Sequence, residues 1–191
     1  MDIDAKALLY DWLGFNETLF RLVNGWRFAE LDSAMVAASA LGHPQLFPFY
    51  LPVALWVSLR WPARLPPRNV LAFASGYALL SAVIVPAIKA ALDFPRPVTA
   101  LGARQVHLLG QQDAVHAFPS GHAAFVVLAA CTLARGAHVA VKTLLFVFAL
   151  VVCFSRISVG AHFPADVLGG ALLACAVALL LRGAFATLPS R

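Results

Sequence analysis

Charge is scarce in this sequence. Of 191 residues only 12% are Asp, Glu, Lys or Arg, about half the roughly 25% usual in soluble domains. Apolar residues make up 61%, and the mean hydropathy is +0.82. That balance excludes a soluble globular enzyme, a disordered chain and a nucleic-acid binder. The formal charge of +5 is then no footprint of nucleic acid; where the cations sit matters more than their sum. Cysteine is scarce too. Cys131, Cys153 and Cys175 all lie inside apolar runs, an odd count at no zinc spacing. They read as small core or lipid-facing residues rather than disulfide partners or metal ligands. The N-terminus lacks the basic end and apolar core of a cleavable signal peptide and carries Asp2, Asp4 and Asp11 instead, so the apolar segments are expected to be mature structure. There is no internal repeat and no low-complexity segment. A chain of this length is expected to form one domain, residues 1–191, embedded in a bilayer.

What is present is a series of apolar runs. A helix crossing a bilayer needs about 20 largely apolar residues. No Lys, Arg, Asp or Glu occurs from Ser33 to Leu59, although Gly42-His43-Pro44 and Pro48 interrupt the run. It reads as a short helix followed by a span over about 45–60. Further spans are expected over 69–88, 123–134, 143–154 and 167–181, the shorter ones ending in the headgroup layer or inside protein. The segment 1–43 differs. Near its start Leu8, Leu9, Trp12, Leu13, Leu19, Phe20, Leu22, Val23 and Trp26 interleave with Asp11, Asn16, Glu17, Arg21 and Asn24, a pattern for an amphipathic helix lying at the interface. Trp12 and Trp26 suit interface anchors, and Trp56 and Trp61 suit a belt at one end of the first span; ordinary bundle packing is the alternative. Arg60, Arg64, Arg68, Arg135, Lys142, Arg182 and Arg191 fall on one side when the spans alternate, which makes that side the cytoplasm.

The opposite side then carries Lys89, Arg96, Arg104, Arg156, Asp93, Asp113, Asp166, His107, His116, His122 and His162. Cations there run against the positive-inside bias, and such residues at span ends are functional candidates. Three clusters stand out. In Lys89 to Pro97, a helix-end lysine meets an arginine pinned between Pro95 and Pro97. In Pro119-Ser120-Gly121-His122, a cap and a glycine precede an apolar helix whose free N–H groups suit an anion. In Ser155 to Asp166, His162 sits just before a helix opened by Pro164, with Asp166 a turn later to orient the imidazole. Each cluster alone also reads as ordinary structure: a snorkelling Lys and a solvated Arg, a plain cap, a structural His. Taken together, three fixed cations (Lys89, Arg96, Arg156) would repel a metal ion, and His and carboxylates do not recur at ligand spacing. They suit a phosphate dianion, whose transfer depends on positioning and charge stabilisation.

At these residues the chain resembles the type 2 phosphatidic acid phosphatase (PAP2) superfamily. That pattern is Lys-x6-Arg-Pro, then Pro-Ser-Gly-His, then Ser-Arg-x5-His-x3-Asp, and residues 89–166 match it in order and spacing. Val98 and the 97–118 loop lie outside it. The resemblance implies an all-α integral membrane bundle of about five to six transmembrane helices plus the N-terminal interfacial helix. It implies a membrane lipid phosphatase: His162 as nucleophile forming a phosphohistidine, Asp166 orienting it, and His122 as general acid and base. Lys89, Arg96, Ser120, Gly121 and Arg156 would bind the phosphoryl group, with no metal and no cofactor. The implied partners are the bilayer and a lipid phosphate, undecaprenyl diphosphate first, phosphatidic acid or phosphatidylglycerol phosphate next. The implied place is the bacterial inner membrane, with the site on the periplasmic side. A lipid phosphotransferase or lipid A phosphatase of the same family competes with this reading. A lipid-binding or transport protein competes less well, because binding needs the cations but not the nucleophile.

Overall fold

The computed structural model describes residues 7–8, 10–110 and 116–185. Asp2, Asp4, Leu9, Asp113 and Arg191, all used above, lie outside the described residues. The described chain is helical: α1 (Phe15–Gly25), α2 (Ala29–Leu41), α3 (Phe47–Arg60), α4 (Pro67–Leu79), α5 (Val85–Leu92), α6 (Pro97–Leu101), α7 (Gly121–Leu133), α8 (Val139–Ser158) and α9 (Pro164–Ala184). Proline opens α4, α6 and α9, where its missing N–H would have no helical partner and its fixed φ suits the first turn. A π-turn over Leu80–Ile84 joins α4 to α5 without a break. Pro86 follows directly and cannot bond the carbonyl of Ala82, which gives the local widening its cause.

Three stretches are long and apolar enough to cross a bilayer on their own: Pro67–Leu101, Val139–Ser158 and Pro164–Ala184. The 20 residues of α8 reach about 30 Å, the thickness of a hydrocarbon core. The shorter α3 and α7 reach only about 20 Å, so the expected count of five to six spans depends on including these two. The protein is an all-α integral membrane bundle. Its outer surface supports this: Leu144, Val147 and Leu150 of α8 and Leu168, Leu172, Leu179 and Leu180 of α9 are exposed, a band that water would not tolerate but lipid does.

The core sits around α7, which packs against α9, α8 and α4. Phe73, Leu80, Phe125, Leu128, Val152, Ala174 and Val177 fill the centre. Small residues bring the helices close. A Cβ on Gly170 of α9 would lie 2.3 Å from the Ser120 carbonyl and 3.2 Å from the Ala124 nitrogen, so only glycine lets α9 cross the start of α7 here. The thiols of Cys131 and Cys175 face each other across these helices, 3.8 Å apart and unbonded.

Helix α1 has two faces as expected from the sequence, and its inward face sets two asparagines around Phe20, which packs against Phe163. Asn16, Phe20 and Asn24, four residues apart, are buried, whereas Phe15, Leu22 and Trp26 are exposed. Asn24 donates to the carbonyls of His107 and Ser158, both at 2.9 Å, and accepts the His107 N–H. Asn16 accepts the Ala165 N–H at 3.0 Å. Buried amides must find partners, and here the partners are backbone groups next to the third sequence cluster. The loop residue Gly160 (φ +78°) meets the His107 carbonyl so closely that a Cβ would stand 2.6 Å from it, which completes this junction.

Candidate active site

The start of α9 fixes two of the predicted residues. Phe163 precedes the helix and Asp166 is its third residue. A carboxylate at that position reaches back to the free N–H at the helix start, and Asp166 Oδ2 accepts the Phe163 N–H at 2.9 Å. The same oxygen lies 3.3 Å from His162 Nδ1. The other, Oδ1, accepts the Tyr10 hydroxyl at 2.7 Å. Asp166 is fully buried and His162 nearly so. Its oxygens therefore face three donors and no solvent, which holds the imidazole in one orientation. Burial holds the His162 ring well below the usual histidine range, and the Arg156, Arg96 and Lys89 charges push it further down.

The start of α7 lies against this corner. The Ser120 N–H donates to the Asp166 carbonyl at 2.9 Å, so the second and third clusters are joined through backbone. Ser120 is fully buried, and its Oγ accepts the Ala123 N–H at 3.5 Å as an N-cap. Gly121 and His122 line the cavity; Ser120 and Asp166 stand behind them.

The cations arrive from three elements. Arg156 leaves the last turn of α8 and donates to Ser39 Oγ of α2. Arg96, buried just before α6, donates to the Ala161 carbonyl at 3.2 Å. Lys89 of α5 donates to the His116 carbonyl. Asp93 and His116, both in the left-handed region, pair at 2.9 Å on the rim. The result is one cavity of about 740 Å³ walled by Lys89, Arg96, Gly121, His122, Arg156 and His162, with His43, Pro44, Leu108 and Gly110 closing the sides. Of the other outer-side residues, His107 is tied to α1 through its backbone and Arg104 is exposed.

Three polar residues of this site, Ser39, His43 and Tyr10, carry no signal in the sequence. His43, in the break between α2 and α3, presents its ring edge-on to His122, with centroids 4.8 Å apart at 88°. Tyr10 was never singled out, and nothing in the spacing links it to Asp166, 156 residues away. The Gly-His-Pro break around His43 was visible but told only where a helix stops.

This geometry suits a multiply charged anion beside an oriented imidazole. The PAP2 superfamily profile matches residues 70–188, which contain all three clusters. The chain belongs to the PAP2 superfamily. An undecaprenyl-diphosphatase of Sulfolobus acidocaldarius is 29% identical over 169 residues, covering 88% of this chain and 77% of that protein. The crystal structure of Aquifex aeolicus LpxE superposes with a TM-score of 0.72 at 28% identity, over 88% of this chain and 95% of that one. A transmembrane PAP2-type phosphatidylglycerolphosphate phosphatase from Bacillus subtilis gives 0.65 at 22% identity, over 97% and 91%; this last likeness shows the fold. The protein is thus a membrane phosphatase of the PAP2 lipid-phosphatase family.

Proposed function

We propose that this PAP2 enzyme hydrolyses a lipid diphosphate, undecaprenyl diphosphate before other lipid phosphates, through a phosphohistidine on His162. One observation carries the reading: His162, held by Asp166, opens onto a cavity that also holds three cations. Nδ1 faces Asp166, which leaves Nε2 to attack. Nε2 bonds to the terminal phosphorus as the bridging P–O bond breaks; His122, which takes up a proton from water once the anionic substrate offsets the cavity's positive charge, enters as imidazolium and gives that proton to the leaving oxygen. Water then attacks the phosphohistidine; His122 takes its proton, the P–N bond breaks and phosphate leaves. Lys89, Arg96 and Arg156, with the Gly121 N–H at the start of α7, hold the phosphoryl oxygens as charge shifts onto them. Ser120 contributes as the cap that sets where α7 begins. Asp166 stabilises the imidazolium character that develops on His162.

The site lies at the membrane surface, where a substrate can keep its tail in lipid. Arg68, Arg135 and Arg182 gather around a second cavity at the other end of the bundle. The positive-inside rule reads that end as cytoplasmic, which supports a site on the periplasmic side of a bacterial inner membrane. The test is phosphate release by purified protein in detergent from a panel of lipid phosphates and diphosphates. Undecaprenyl diphosphate is expected to give the highest kcat/KM, and release is expected to be blocked by vanadate, which mimics the five-coordinate transition state. A preference for phosphatidic acid by tenfold or more would replace the substrate while keeping the chemistry.

A further inference from the structure

We propose that His43 is a specificity-determining residue that hydrogen-bonds the leaving phosphate of a diphosphate substrate. The inference rests on the phosphatase reading above and adds a recognition element outside the three clusters. Its first support is position. His43 lines the same cavity as the cations and lies against His122. His122 delivers a proton to the leaving oxygen, so a wall residue beside it faces the leaving group rather than the attacked phosphorus.

The second support is how His43 is held. Its Nδ1 accepts the Gln45 N–H at 3.1 Å. In the neutral ring that fixes the remaining proton on Nε2. Burial lowers the affinity of His43 for a second proton, and Arg156 lowers it further. The backbone on both sides is pinned by tyrosines: the Tyr50 hydroxyl donates to the Leu41 carbonyl at 2.6 Å, and the Tyr77 hydroxyl donates to the Pro44 carbonyl at 3.1 Å. Gly42 is wedged against Val152 of α8, where a Cβ would stand 2.3 Å from its side chain. A helix break that only turned the chain would need none of this. Here it presents one N–H donor rigidly at a charged cavity.

The chemistry follows from what leaves. A lipid monophosphate releases an alcohol, whose carbon chain offers no further acceptor. A diphosphate releases a lipid phosphate with two non-bridging oxygens next to the bridging one. A neutral Nε2–H suits those oxygens, and a hydrogen bond to a charged acceptor is stronger than a neutral one. His43 therefore contributes to turnover of diphosphates and contributes little to monophosphates.

The experiment compares farnesyl diphosphate with farnesyl phosphate for wild type and His43→Phe in detergent. Phe keeps a ring against His122 and removes both nitrogens. The diphosphate kcat/KM is expected to fall about 10- to 100-fold, the scale of one hydrogen bond to a charged group. The monophosphate value should stay within about threefold, the size of a small packing change. His43→Asn, which can still accept the Gln45 N–H but is too short to reach the substrate, should show the same selective loss and covers the case in which the Phe variant does not fold. Equal losses on both substrates would make His43 a support for His122 and overturn the assignment, as would no loss on either. Wild type active on the monophosphate alone would also overturn it. Wild type inert on both, and on undecaprenyl diphosphate, would instead sink the lipid-diphosphate reading on which it rests; activity on undecaprenyl diphosphate alone moves the same comparison to undecaprenyl diphosphate and undecaprenyl phosphate.

Discussion

A histidine buried beside three cations resists taking up a proton, and His162 shows this. Its pKa lies below the ordinary value, so the neutral, nucleophilic form persists as pH falls. In ¹⁵N-labelled protein the His162 ring signal, assigned by its loss in His162→Asn, should titrate below the roughly 6.5 of a free histidine. A midpoint at or above 6.5 would contradict the electrostatics. Tyr10 acts on the same ring through Asp166. Tyr10→Phe should lower kcat about tenfold with KM nearly unchanged, since it loosens Asp166 without touching substrate; a raised KM with normal kcat would make Tyr10 a binding residue. It should also cost about 1–2 kcal/mol of stability, the scale of a buried acceptor losing its donor. Arg156→Lys keeps the charge and should still lose at least about tenfold in kcat/KM, because an ammonium cannot span Ser39 and a phosphoryl oxygen as a guanidinium fork does. Near-normal turnover would reduce Arg156 to a general charge. Lys89, Arg96, His122, Arg156, His162 and Asp166 were legible in the sequence because spacing ties them to helix ends. Tyr10, Ser39 and His43 were not, since contacts between distant segments leave no periodic mark.

At the scale of elements, the site depends on how α7 and α9 cross. The Ser120 carbonyl lies where a Gly170 side chain would go, and the Ser120 N–H is already bound to Asp166. Gly170→Ala must therefore separate the two helix starts. It should cost about 1–3 kcal/mol, the range for overpacking, and should reduce activity, whereas Gly183→Ala, with nothing within 4 Å, should change neither. Thermal unfolding and turnover of the two variants check this; equal behaviour would mean that the crossing is not tight. Helix α1 shows where sequence reading stops. A 3.6-residue period identifies a two-faced helix but not which face turns inward. Phe15 and Leu22 stay exposed while Phe20 turns inward between Asn16 and Asn24, which tie α1 to the start of α9 and the end of α8.

Across the whole molecule, cations gather at both ends with an apolar band between them. Lys89, Arg96 and Arg156 surround the cavity at one end, and Arg68, Arg135 and Arg182 gather at the other. The apolar runs made the membrane bundle legible, and Arg60, Arg64 and Lys142, added on the Arg68 side, gave the expected orientation. They did not decide whether helices as short as α3 and α7 cross the full bilayer, because length and composition alone cannot separate a short span from a helix buried in protein. Single cysteines introduced at Ala63 and Ala103 should label from opposite sides of sealed vesicles; labelling from the same side would contradict the topology. The central claim is that one cavity passes a phosphoryl group through one histidine. Rapid-quench labelling with undecaprenyl diphosphate carrying ³²P in its terminal phosphate tests it most directly. An acid-labile, alkali-stable label is expected on His162, at most one per chain, absent from His162→Ala and retained longer in His122→Ala. Label on His122, or turnover surviving in His162→Ala, would contradict it.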